Sequence, residues 1–235
     1  DGLVYGGIKA ESIQSHLGLS EHGIDTFTPF VGRGVLLDIT KIKGVATLEP
    51  GYGVTADDLQ AAEDAAGVRV GAGDAVLIGT GWSRLWDDRP AFQGLDSGVP
   101  GPDVSAAQWL RDRQVAVAGG ETIAFEQLKP GAGHATLPVH RVLLVDAGIN
   151  IIETMRLHEL IDAGATEFLF VLAPIRVVGA ECYTGNFKNP VKVVSFADFE
   201  AMVTDGKGTT AQLVDLLAAD NGFPVKNCRV HPTPA

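Results

Sequence analysis

The chain has 235 residues and carries 18 basic against 29 acidic side chains, a net charge of −11. With 46% hydrophobic and 20% charged residues it has the composition of a folded chain with a sizeable core, not of a disordered one. The acidic balance argues against nucleic acid or an anionic membrane surface as a partner, and the most apolar stretch, Phe168–Ala173, is far too short to span a bilayer.

Length alone allows one domain with an extension or two domains. Gly-rich, irregular sequence runs to about residue 33. The apolar run Gly34–Ile39 then predicts a buried strand. Thr55 followed by Asp58 predicts an N-cap and a helix to about Ala66. Ala75–Ile78 reads as a second strand. Asp103 or Ser105 opens a helix carrying Trp109 and Leu110, and Val115–Ala118 is a third strand. Val139–Val145 is expected to be helical and to end at Gly148 as a C-cap. Ile149–Ile152 reads as a strand, Met155–Ala163 as an amphipathic helix stopped by Gly164, and Phe168–Leu172 and Val191–Phe196 as strands. Asp198–Val203 and Thr210–Ala219 read as helices, with Asp205–Gly208 as a linker before a C-terminal extension. Alternating strands and helices predict an α/β (mixed α+β) layer architecture.

Most motif readings fail on spacing. Gly79-Thr80-Gly81 follows a strand, but Trp82-Ser83-Arg84 does not complete G-x-G-x-x-G, and Trp82 would crowd a pyrophosphate. Gly206-Lys207-Gly208-Thr209 lacks P-loop spacing and a preceding strand. No G-x-S-x-G elbow exists, and His158-Glu159 is not followed by the His of a zincin. Cys182 and Cys228 fit no zinc pattern and read as free thiols of a reducing, cytoplasmic compartment. No signal peptide is legible at Asp1. His16, His22 and Asp25 lie together in a Gly-rich loop and read as loop polarity.

His140 and Glu153 stand apart. His140 opens an apolar segment, and Glu153 ends the apolar run Ile149–Ile152, where a charge is expensive unless paired or bound to a metal. Thirteen positions apart, they cannot share a helical face and could meet only through a turn at Gly148. The alternative for Glu153 is an N-capping role at the helix that follows.

The segment L-P-V-H-R-V-L-L-V-D-A-G-I-N-I-I-E-T-M-R-L-H-E-L (Leu137–Leu160) resembles the second metal-binding segment of the cyclase family of metal-dependent hydrolases, which includes bacterial kynurenine formamidase and isatin hydrolase. Arg33–Ile39, Asp74–Trp82, Gly119–Glu126 and Glu167–Ala180 resemble further family segments in the same order, so the resemblance covers about residues 1–196. It implies a swivelling β/β/α-type domain over residues 1–200, with 201–235 as an extension. It also implies a homodimer or homotetramer, a Zn²⁺ or Mn²⁺ cofactor, and hydrolysis of an amide, cyclic amide or lactone in a small molecule. By position, His140 would be a metal ligand or a catalytic base beside the metal, and Glu153 a metal ligand. Trp82, Arg84 and Trp86 would line the substrate pocket.

Two departures matter. The family's first metal segment, H-x-G-T-H-x-D, does not occur in these 235 residues, while Asp1–Gly7 resembles the stretch that follows it in relatives. The expectation is a truncated copy, the alternative a protein that has lost the site. Glu181–Asn186 replaces a shorter turn beside the pocket, so substrate choice does not transfer. A catalytic zinc needs about three protein ligands, and His140 with Glu153 gives two. Two competing readings stay open: a non-catalytic relative that binds a ligand or forms oligomers, and a nucleotide-binding domain using Gly79–Gly81. Arg33 and Asp38 read as a structural ion pair.

Overall fold

In the computed structural model, residues 2–133, 136–174, 178 and 180 are described, together with the backbone of three strands at 191–195, 223–225 and 229–231. In chain order, a short helix α1 (Ala10–Ile13) leads into a hairpin of β1 (Gln14–Ser15) and β2 (Gly18–Leu19). Then come β3 (Phe30–Asp38), α2 (Ile39–Lys43), β4 (Gly53–Val54), α3 (Ala56–Ala66), β5 (Ala75–Gly79), α4 (Arg89–Gln93), β6 (Gly101–Pro102), α5 (Val104–Asp112) and β7 (Val117–Gly120). Helix α6 (Pro138–His140) continues as a π-helical stretch, Arg141–Ala147, and precedes β8 (Asn150–Glu153), α7 (His158–Asp162) and β9 (Glu167–Leu172). Strands β10 (Val191–Ser195), β11 (Phe223–Val225) and β12 (Arg229–His231) complete the described elements.

Eight strands form the main sheet in the order β11-β10-β9-β3-β5-β7-β8-β12. Its centre, β3-β5-β7-β8, is parallel, and β9, β10, β11 and β12 join antiparallel at the sides. This is a mixed α/β fold, as the alternation of elements predicts. A strand buried on both faces needs apolar residues at every position. Val35 and Leu37 of β3, with Val76 and Ile78 of β5, enter the cluster shared with Leu59 of α3 and Leu110 of α5. Leu36 and Leu77 point the other way, into a cluster with Leu160 of α7, Phe168 and Phe170.

Local chemistry sets the boundaries. Thr55 and Asp58 form a full capping box at α3, and Gly67 closes that helix in the left-handed conformation. Asp103 caps α5, and Gly148 ends the π-helical stretch at φ 70°. The third strand is shifted to 117–120. The helix expected over Met155–Ala163 is a short one, 158–162, because Thr154 at φ 56° turns the chain out of β8 first. Glu153 therefore lies on a strand and does not cap that helix. Arg33 and Asp38 do not pair with each other: Arg33 bonds Asp74 and Glu167, and Asp38 caps α2. The helices expected at 198–203 and 210–219, the linker at 205–208, both cysteines and Glu181–Asn186 lie outside the described residues.

The strands β11 and β12 pair with opposite edges of the sheet. The carboxyl ends of the four parallel strands, at Asp38, Gly79, Gly120 and Glu153, lie along one rim, the usual place for a site in such a sheet.

Candidate active site

Two buried carboxylates meet one imidazole at that rim. Glu153, the last residue of β8, is 2% exposed, and its Oε1 lies 3.3 Å from His140 Nε2. On the other side of the ring, His140 Nδ1 lies 2.9 Å from Glu126 Oε1. Glu126, 1% exposed, is fixed by the backbone: Oε2 accepts from the Val139 amide at 3.0 Å, and Oε1 accepts from the His140 amide at 3.1 Å. The turn at Gly148 thus brings His140 and Glu153 together.

Backbone strain flanks both acids. Among the described residues four non-glycine residues have positive φ, and two of them are Phe125, at 55° just before Glu126, and Thr154, at 56° just after Glu153. Strained backbone of this kind collects at functional sites. His140 itself leads into the π-helical stretch, another feature found often at such sites.

The electrostatics follow from this arrangement. Burial pulls the His140 pKa down, but the bonds to Glu126 and Glu153 outweigh it and raise it from 6.5 to about 9. The imidazole is therefore a cation at neutral pH when no metal is bound, and it bridges the two carboxylates.

The donor set fits a metal in part. Two ligands at the 2.0–2.1 Å bonds of tetrahedral zinc stand about 3.3 Å apart, which matches the gap from Nε2 to Oε1. Among the described residues, however, no group of three or more His, Cys, Asp or Glu side chains is placed to hold an ion. The pair supplies two of the about three protein ligands that a catalytic zinc needs.

A second polar cluster sits on the same rim. Glu121, 1% exposed, accepts from the Thr80 amide at 2.6 Å, the Thr80 hydroxyl at 2.9 Å, the Ser83 amide at 3.3 Å and the Ser83 hydroxyl. The Ser83 oxygen also lies 2.9 Å from His158 Nδ1 and accepts from the His158 amide. Since its one proton goes to the carboxylate, His158 Nδ1 is the donor in that pair. Ser83 is fully buried and hydrogen-bonded, an anchor and not a nucleophile. A phosphate bound at Gly79–Gly81 would need the amides of this turn, and Glu121 both occupies two of them and repels an anion. The turn has no room for a nucleotide reading.

The aromatic turn after β5 divides. Trp82 is 2% exposed, its Nε1 donates to the Phe92 carbonyl at 2.9 Å, and its ring packs with Val99, Ala124 and Leu128. Trp86 is half-buried and stands edge-on to Phe92 with centroids 4.9 Å apart. Arg84 is surface-exposed and ion-paired with Asp162. Ala124 and Leu128 place the Trp82 ring beside the segment that carries Glu126. His16 is exposed. His22 is half-buried at φ 61°, with a buried Nε2 that has no hydrogen-bond partner among the described residues.

Glu121 and Glu126 are the residues that sequence reasoning passed over. Both stand in G-G-E-T-I-A-F-E: Glu121 directly follows an apolar strand, and Glu126 closes the short apolar run Ile123–Phe125. The argument that singled out Glu153, a charge closing an apolar run, applies equally to them.

A model of the family described as putative cyclase matches residues 13–127, a span that includes both of these glutamates. Isatin hydrolase of Roseibium aggregatum is 26% identical over 132 residues, which are 55% of this chain and 49% of that protein. A crystal structure of a novel cyclase superposes with a TM-score of 0.68 at 30% identity, over 77% of this chain and 61% of that one. Isatin hydrolase A from Ralstonia solanacearum gives a TM-score of 0.54 at 28% identity, over 67% and 60%. The chain spans about half the length of the curated relative that it matches. In its central segment and in its fold, the chain is similar to proteins of the cyclase family.

Proposed function

We propose that the protein is a metal-dependent hydrolase of an amide, cyclic amide or lactone bond, with His140 and Glu153 as two of the ligands of a Zn²⁺ or Mn²⁺ ion. The observation that carries this is the 3.3 Å approach of a His nitrogen and a buried carboxylate at the carboxyl rim of the sheet. The likeness to isatin hydrolases supports the hydrolase class. A bound ion would lower the pKa of a water to near 7 and polarise the carbonyl under attack. His140 and Glu153 would bind and orient it, and their burial would strengthen every charge interaction at the reacting carbonyl. The remaining ligands would come from a segment of the H-x-G-T-H-x-D kind. Arg84 and Trp86 would meet the substrate, while the Trp82 ring would shape the pocket from within the packing. A homodimer or homotetramer is proposed with the same reading.

A non-catalytic relative is the second reading, favoured by the lack of a three-ligand group among the described residues. One experiment separates the two. The protein is purified from its own cells, and its intact mass, bound metal and hydrolysis of isatin, a formylanilide and an aryl lactone are measured. The hydrolase reading expects about one divalent ion per chain and activity on at least one class, reduced on the order of 100-fold in Glu153→Gln. No metal, no hydrolysis and a melting temperature indifferent to chelator would establish the non-catalytic reading, since a ligand bound only to the native state must stabilise it.

A further inference from the structure

Glu126 has more partners than a helix cap requires. It takes the amides of Val139 and His140, as a cap would, and a neutral Asn, Ser or Thr could do that much. It also takes the ring nitrogen of the residue it caps, at 2.9 Å. A carboxylate that is 1% exposed is costly without such donors. Phe125, strained at φ 55° with its ring anchored in the core, fixes the backbone from which the Glu126 side chain leaves. The carboxylate is thus set in place by two amides and a strained turn before the imidazole meets it.

The chemistry of the pair is directional. An imidazole with its Nδ1 proton held by a carboxylate has its Nε2 lone pair fixed in orientation and made more basic. Here Nε2 faces Glu153 at 3.3 Å. We infer that Glu126 is a positioning residue that fixes the ring of His140, so that Nε2 is presented to Glu153 and to the ion the two would share. This inference rests on the functional reading above, which assigns no role to Glu126. Outer carboxylates on ligating histidines are typically worth about 10–100-fold in metal affinity.

The test uses the full chain, its Glu126→Gln and Glu126→Asp variants, and Zn²⁺ as the probe. Three quantities are read: zinc affinity by chelator competition, the downfield imidazole N–H resonance of His140 in ¹⁵N-labelled metal-free protein (assigned by its loss in His140→Gln), and the melting temperature. The expected result is loss of that resonance in Glu126→Gln and zinc affinity lower by about 10–100-fold. Glu126→Asp, which keeps the charge, should fall between wild type and the glutamine variant. A resonance and an affinity both unchanged in Glu126→Gln would overturn the inference while leaving the metal reading intact. If the wild-type chain binds no zinc, the metal reading fails, and the resonance alone decides: lost in Glu126→Gln, the positioning stands, and retained, it falls. If the glutamine variant does not fold, the aspartate variant carries the comparison. A weakened resonance with an unchanged helical signal supports the inference, and an unchanged one overturns it.

Discussion

Gly81 shows how much a single position can decide. It sits at φ 71°, and a Cβ there would fall on the carbonyl oxygen of Ala46. The position needs both the left-handed conformation and the missing side chain. The turn it permits delivers the amides of Thr80 and Ser83 to Glu121 and buries the Trp82 ring. Gly81→Ala should therefore lower stability by at least about 1–3 kcal/mol, from backbone strain and from the clash. Denaturant titration followed by tryptophan fluorescence would measure it, and an unchanged midpoint would contradict this account of the turn. The same reasoning explains why Gly79-Thr80-Gly81 resembles a nucleotide motif without being one. Its glycines serve a close approach of backbone to backbone, and its amides already have an anion.

At the scale of elements, α3 illustrates how capping and charge combine. Asp58 accepts from the Thr55 amide at 3.1 Å, from the Tyr52 hydroxyl at 2.9 Å and from Lys43 of α2 at 2.5 Å. Burial pushes its pKa up, but these donors outweigh burial and hold it below 3.8, while Lys43 is raised by the same bonds. A carboxyl depressed in the folded state adds stability that is present above its unfolded value and lost as pH falls through its folded value. Acid titration of the wild type should thus show a loss of stability below pH 3.8 that Asp58→Asn reduces. At pH 7 the same variant should be less stable by about 1–2 kcal/mol, since it loses the capping carboxylate and its ion pair. Equal acid sensitivity in the two proteins would count against the assignment.

At the scale of the whole molecule, the ladder that joins the parallel centre to the antiparallel side is packed at one point by a single ring. Phe168, at 0% exposure, lies in β9 opposite Gly34 of β3, and a Cβ on Gly34 would overlap that ring. Phe168→Ala should cost about 3–5 kcal/mol, read as a lower denaturant midpoint with an unchanged slope. Because β3 also pairs with β5, β5 with β7 and β7 with β8, a fault here reaches the strand that Glu121 directly follows and the strand that carries Glu153. Among the described residues no helix is long and apolar enough to cross a membrane.

The sequence by itself determined the longer elements. Gly34–Ile39, Ala75–Ile78 and Phe168–Leu172, apolar without alternation, read as strands covered on both faces, and Thr55, Asp103 and Gly148 marked helix ends because their chemistry acts within a few residues. It also marked His140 and Glu153, since a charge at the end of an apolar run must find a partner. Only the tertiary structure decided who that partner is. Glu126 and Glu153 are 27 positions apart in the chain and flank one imidazole, a relation set by parallel pairing of β7 with β8 and by the turn at Gly148. Trp82 was legible as either a pocket residue or a packed one, and only the structure chose packing, because burial depends on what folds over it. Arg33 found Asp74 and Glu167 instead of Asp38 for the same reason: within a strand neighbouring side chains diverge, and charges meet across strands, where register and not sequence distance rules.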